Sequence, residues 1–156
     1  MSGRFWLISI LSLVVALLIG GQWILPMITN QEEMIETKVL WVGEARVEVE
    51  VADEGDEMNK GLGYRDNLGK DNGTLFIYPE PIIPTFWMKG MRFDLDFLWI
   101  QEGVVVEITE NVPSPVSEEE QLPLIRPKEL VNWILEVNAG WVEENGVSVG
   151  DVVRFE

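Results

Sequence analysis

The chemistry open to this chain is set first by what it lacks. Its 156 residues contain no His and no Cys. That removes the usual general base near neutral pH, the commonest transition-metal ligand, thiolate nucleophiles and every Ser-His or Cys-His arrangement. Reactive or binding groups must come from carboxylates, Lys, Arg, amides, hydroxyls or backbone. An ion site would need oxygen ligands, which favours Ca²⁺ or Mg²⁺. Asp66, Asp71 and Asn72 lie in turn-forming sequence, but their spacing does not match a D-x-D-x-D-G calcium loop, and no metal or cofactor is expected.

The densest mixture of charge and aromatic surface is FWMKGMRFDLDFLWI, residues 86–100. Read as a strand from Phe93, it alternates. Phe93, Leu95, Phe97 and Trp99 face one way, and Asp94, Asp96, Leu98 and Ile100 the other. Asp96 therefore stands at the margin of a covered face. It either pairs with Lys89, Arg92 or Arg65, or it lines a polar pocket rimmed by Trp87 and Phe86. Glu136 interrupts the apolar run ILEVN and has the same two readings, as a partner of Arg65 or Lys89 or as a site residue. Asn138 ends that run and either satisfies turn backbone or contacts a ligand. The candidate ligand-binding set is thus Arg65, Trp87, Lys89, Asp96, Glu136 and Asn138. Basic groups with aromatic walls suit a saccharide or an anionic small molecule. A further reading makes Asp96 and Glu136 a hydrolytic carboxylate pair, which requires both to open into one cleft.

These residues must be positioned by short strands. VLWVGEARVEVEVA, residues 39–52, places Val47, Val49 and Val51 on one face and Arg46, Glu48 and Glu50 on the other, a strand with one wet face. Asp53 can cap a short helix to about Gly61. DNLGKDNG, 66–73, is turn chemistry and TLFIY, 74–78, a short buried strand. PEPIIP, 79–84, carries three Pro and is excluded from a central strand. FWM reads as a brief strand. LDFLWI and VVVEITE form a hairpin through Gln101-Glu102-Gly103. A Pro-containing acidic loop spans 111–128. WILEVN is a strand, residues 139–145 supply one or two helical turns ending at Gly146, and DVVRF closes the chain as a strand. Trp141 belongs in the core. The expected fold is mainly β (small α+β): a compact, barrel-like antiparallel domain with one or two short helices.

An N-terminal transmembrane helix is expected before it. Residues 5–28, FWLISILSLVVALLIGGQWILPMI, contain no charged side chain and are long enough to cross a hydrocarbon core of about 30 Å. Trp6 and Trp23 lie near the ends of the run, and Arg4 precedes it. The positive-inside rule puts the N-terminus in the cytoplasm and the domain outside. A cleaved signal peptide is the rival reading, but no A-x-A site is present. With no Cys there is no lipoprotein acylation. Residues 29–37 read as an acidic tether and 38–156 as a single extracytoplasmic domain. From residue 30 onward, 10 basic face 27 acidic side chains, a net charge of −17. Such a domain repels nucleic acid and anionic headgroups. Its expected partners are the membrane, through residues 5–28, and a small polar ligand or an envelope protein.

Several segments in order resemble the prokaryotic family known as domain of unknown function 192 (DUF192). They are VEVA (49–52), KGLGYRDNL (60–68), DNGTLFIY (71–78), FWMKGMRFDLDFLWI (86–100) and ILEVNAGWVEENGVSVGDVV (134–153). The family pattern runs GLM-x-R-x-x-L, D-x-GMLF, FWMKNT with a Leu-Asp pair, LE-x-NAG and a closing GD. The resemblance implies a small β-rich, barrel-like domain, often secreted or membrane-anchored, and no established reaction. Gly63 and Thr74 stand where Met is usual, and Gly90-Met91 replaces Asn-Thr.

Overall fold

The computed structural model describes residues 37–156 apart from 54, 56–57, 59–60 and 118–121. The expected anchor over 5–28 and nearly all of the tether lie outside the described residues, and no described helix is long and apolar enough to cross a membrane. The helix expected over 53–61 also falls largely outside them, although Gly55 and Met58 are helical. Residues from Ile35 to Glu156 form one compact unit.

Seven strands make one sheet: β1 (Thr37–Val42), β2 (Ala45–Ala52), β3 (Asn72–Ile82), β4 (Leu95–Gln101), β5 (Val104–Val112), β6 (Val131–Asn138) and β7 (Val153–Phe155). The short helix α1 (Trp141–Asn145) lies between β6 and β7. Strand order is β5-β4-β6-β3-β2-β1-β7. The sheet curls into a half-barrel, and its two ends meet where Val104 bridges Val152.

The local signals account for the hairpins. What reads as one strand over 39–52 is two, because Gly43 adopts φ 58° and the chain reverses so that Val42 pairs with Ala45. Glu102 and Gly103 both take positive φ, 49° and 73°, which matches the right-handed twist of the strands they join. Gly146 caps α1 in the left-handed region at φ 64°, its N–H donating to the Glu143 and Val142 carbonyls.

Three expectations change. The sheet is not wholly antiparallel, since β2 and β3 pair in parallel. A parallel pair needs a long crossover, and residues 53–71 supply it. β3 also continues through Pro79 and Pro81 to Ile82. It can do so because its pairing with β2 ends at Ala52↔Phe76, so the prolines owe no amide to that neighbour. FWM contributes only an isolated bridge, Phe86 to Ile125, not a strand.

Both faces of the sheet are covered, so β4 buries every residue from Leu95 to Ile100. Leu75, Leu98, Leu135 and Val137 join Trp141 and Val142 of α1 in one core. Phe76, Phe97, Trp99 and Ile134 join Leu62, Met88 and Met91 in a second. Leu62 comes from the β2–β3 crossover, and Met88 and Met91 from the β3–β4 connection, residues 83–94. Because β6 separates β3 from β4, that connection must pass over β6. Two crossovers therefore roof the same face of one central strand.

Candidate functional site

Glu136 is on that central strand, on the roofed face. It pairs with Thr74 of β3 on one side and Phe97 of β4 on the other. Residues opposite one another in an antiparallel pair project to the same face, so Thr74, Glu136 and Phe97 form one row. Alternation along TLFIY adds Phe76 and Tyr78 to the same face. The crossovers do not close over this row completely. They leave a cleft of about 440 Å³ with Glu136 in its lining. Phe76, Tyr78, Phe86, Trp87 and Lys89 also line it.

The cleft wall is aromatic. Phe86 meets Phe76 edge-on at 5.1 Å between ring centres, and Phe97 and Trp99 at 5.8 and 5.9 Å. Its backbone is held in both directions to Ile125, by bonds of 2.9 and 3.0 Å. This fixes the next residue, Trp87, at the rim, where 60% of its surface is exposed. The Lys89 ammonium lies 5.4 Å from the centre of the Trp87 ring, a cation–π contact.

Glu136 is only 6% exposed. No hydrogen bond or ion pair to its carboxyl is seen among the described residues. Burial pushes its pKa from 4.5 up to about 8, because the charged form loses its hydration without a compensating partner. The Tyr78 phenol is raised too, first by burial and then by the Glu136 charge. The Thr74 hydroxyl, opposite Glu136, is buried without a hydrogen-bond partner. A buried, unsatisfied hydroxyl thus stands next to an unpaired carboxyl that opens on the cleft, an arrangement that folding alone disfavours.

The six residues singled out in the sequence separate. Trp87, Lys89 and Glu136 come together in the cleft. Asp96 does not join them. It pairs with Val137, one position from Glu136, and so projects from the opposite face. Its expected cationic partners are replaced by backbone: Oδ1 accepts from the Asn111 N–H at 2.8 Å and Oδ2 from the Val142 N–H at 3.2 Å. It thereby fastens the turn of α1 to β4. The Asp96–Glu136 pair required for hydrolysis does not share a cleft. Arg65 binds neither carboxylate. Its guanidinium donates twice to Glu50, at 2.6 and 2.5 Å, which raises the arginine pKa through that hydrogen bond. Asn138 donates to the Gly69 carbonyl at 2.9 Å and satisfies a turn. Arg92 pairs with Asp66. No group of three acidic side chains among the described residues is placed to hold a metal.

Tyr78 and Thr74 escape a reading of the sequence for site residues. Alternation in TLFIY marks them as sharing a face, but nothing local says that Glu136 lies between that strand and β4.

The DUF192 family pattern, described as "Uncharacterized ACR", matches residues 38–155. A crystal structure from Sinorhizobium meliloti 1021, described as that of a candidate transcription regulator, is 32% identical, with a TM-score of 0.69 over 78% of this chain and 95% of that one. A protein of unknown function from Novosphingobium aromaticivorans DSM 12444 is similar in fold, at 24% identity and a TM-score of 0.69 over 80% of this chain and 89% of that one. No curated protein matches.

Proposed function

We propose, from the premise that this chain belongs to the DUF192 family, that its domain binds a small polar organic molecule in the cleft over β6. Residues 5–28 would hold that domain at the outer face of the cytoplasmic membrane. One observation carries the binding reading: an unpartnered, buried Glu136 carboxyl lines a cavity whose rim bears an exposed Trp87. A buried carboxyl and a neighbouring hydroxyl cost stability unless something satisfies them. A ligand that fills the cleft and hydrogen-bonds the Glu136 carboxyl would recover the carboxyl's part of that cost on binding. The cavity has room for a small organic molecule, and its aromatic wall suits a flat or apolar body.

The anchor rests on the uncharged run at 5–28 and on the position of Arg4. The regulator-like description of the Sinorhizobium protein fits this chain poorly as a DNA binder, since a domain of net charge −17 repels phosphates. A protein-docking role has its own support in the exposed Tyr64, Trp87 and Leu124.

The test is a thermal-unfolding screen of neutral saccharides, sugar acids and amines against the wild type and Trp87→Ala. Ligand at a hundred times its Kd adds about 2.7 kcal/mol of stability. A shift with one class, lost in Trp87→Ala, supports the cleft. No shift with any class favours protein docking. Protease digestion of membrane vesicles of known orientation tests the anchor: cleavage from the cytoplasmic side alone would overturn it.

A further inference from the structure

We infer that the ligand of this cleft carries an organic ammonium group on an apolar body, with the ammonium seated against the Glu136 carboxyl. The inference rests on the binding reading above and adds the chemical class.

Three features of the site converge on it. The first is the unmatched acidic group. Glu136 has no cation against it among the described residues, because Arg65 is committed to Glu50 and Arg92 to Asp66. An ammonium would supply the missing charge and could donate hydrogen bonds to the carboxylate, which lines the cleft. The second is the wall. Tyr78, Phe86 and Trp87 present ring surface, which attracts cations through the ring quadrupole. Trp87 already takes an ammonium on its face, that of Lys89. The third is the field. A net charge of −17 over residues 30–156 concentrates cations at the surface and disfavours anions.

Lys89 is the countervailing charge. It is exposed, on the turn at Gly90, and its ammonium is over the rim tryptophan. It opposes a cationic ligand and would favour an anionic one, so its removal separates the two. The ionisable groups of the cleft among the described residues are Glu136, Tyr78 and Lys89. Seating a cation ionises Glu136 and releases a proton where that group was protonated.

The experiment is calorimetric titration of the full chain in non-ionic detergent. The probe is 2-phenylethylammonium, with 2-phenylethanol as its neutral counterpart and glucose as a saccharide. The expected result is that the ammonium binds at least about tenfold more tightly than the alcohol. Glu136→Gln should abolish that preference while circular dichroism shows it folded, and Lys89→Ala should strengthen ammonium binding. Attraction to the general acidic surface would survive Glu136→Gln, so an unchanged preference in that variant overturns the inference. Equal binding of the ammonium and the alcohol overturns it too, as does weaker ammonium binding in Lys89→Ala. Glucose binding without ammonium binding defeats this inference and leaves the cleft as a binding site. Binding of none of the three defeats the inference, and only a blank across the wider screen defeats the binding reading. Should Glu136→Gln fail to fold, Thr74→Met, which restores the residue usual in the family, must weaken ammonium binding by crowding the carboxyl.

Discussion

Replacing Glu136 by Gln should change how the stability of this domain depends on pH. The folded-state pKa of Glu136 is raised from 4.5 to about 8 by burial. The folded protein therefore holds a proton that the unfolded chain gives up. Stability from this group is intact below 4.5 and is lost as pH rises through 8, after which the loss levels off. At 1.36 kcal/mol per pH unit, the wild type loses about 4 kcal/mol between pH 5 and pH 9 from this residue. That is a large part of the roughly 5–15 kcal/mol that holds a domain of this size together. Gln has nearly the same shape and no charge to desolvate, so its variant should lack that loss. The assay is urea unfolding of residues 35–156 at pH 5, 7 and 9, followed by tryptophan fluorescence. Other carboxylates repel one another increasingly as pH rises, but they do so in both proteins. The quantity to read is the difference in slope. Parallel pH profiles for wild type and Glu136→Gln would refute the reasoning and mean that water or another group solvates the carboxyl.

Other substitutions test the rest of the arrangement. Asp96→Ala removes the acceptor of two backbone amides and should cost about 2–4 kcal/mol in chemical denaturation, with ligand binding by the refolded protein unchanged. Gly73→Ala puts a Cβ 2.6 Å from the Glu136 carbonyl oxygen in the facing strand. It should cost about 1–3 kcal/mol by the same assay, through a forced strand shift. Arg65→Ala breaks a half-buried ion pair and should cost at most about 1 kcal/mol, without affecting the cleft. Trp87→Ala should leave the unfolding free energy within about 0.5 kcal/mol of wild type, because the ring is mostly exposed, while removing the cleft's rim.

Much of the fold was legible locally. Alternating Val47, Val49 and Val51 marked a one-sided strand, and Glu102-Gly103 marked a hairpin. WVEEN before Gly146 marked a short helix, because each signal acts over a few residues. The strand through Pro79 and Pro81 was not legible, since a proline is tolerated only where a neighbouring strand has ended, and that is a property of β2. The hairpin at Gly43 shows in the sequence only as a change of phase, from buried Leu40 and Val42 to buried Ala45 and Val47, across a two-residue turn too short to stand out from the strands that flank it.

The site divides along the same line. Composition alone excluded His and Cys chemistry and gave the domain its acidic field. The pattern of FWMKGMRFDLDFLWI alone put Asp96 and Phe97 on opposite faces of a strand. Which of those faces Glu136 shares was decided by register between β4 and β6. Pairing Phe97 with Glu136 put Asp96 behind the sheet; a slip of one residue would have brought the two acids together. Register and the route of the crossovers depend on strands far apart in the chain. Only the folded sheet could separate two carboxylates that the sequence made look alike, tying Asp96 to α1 and turning Glu136 into the cleft.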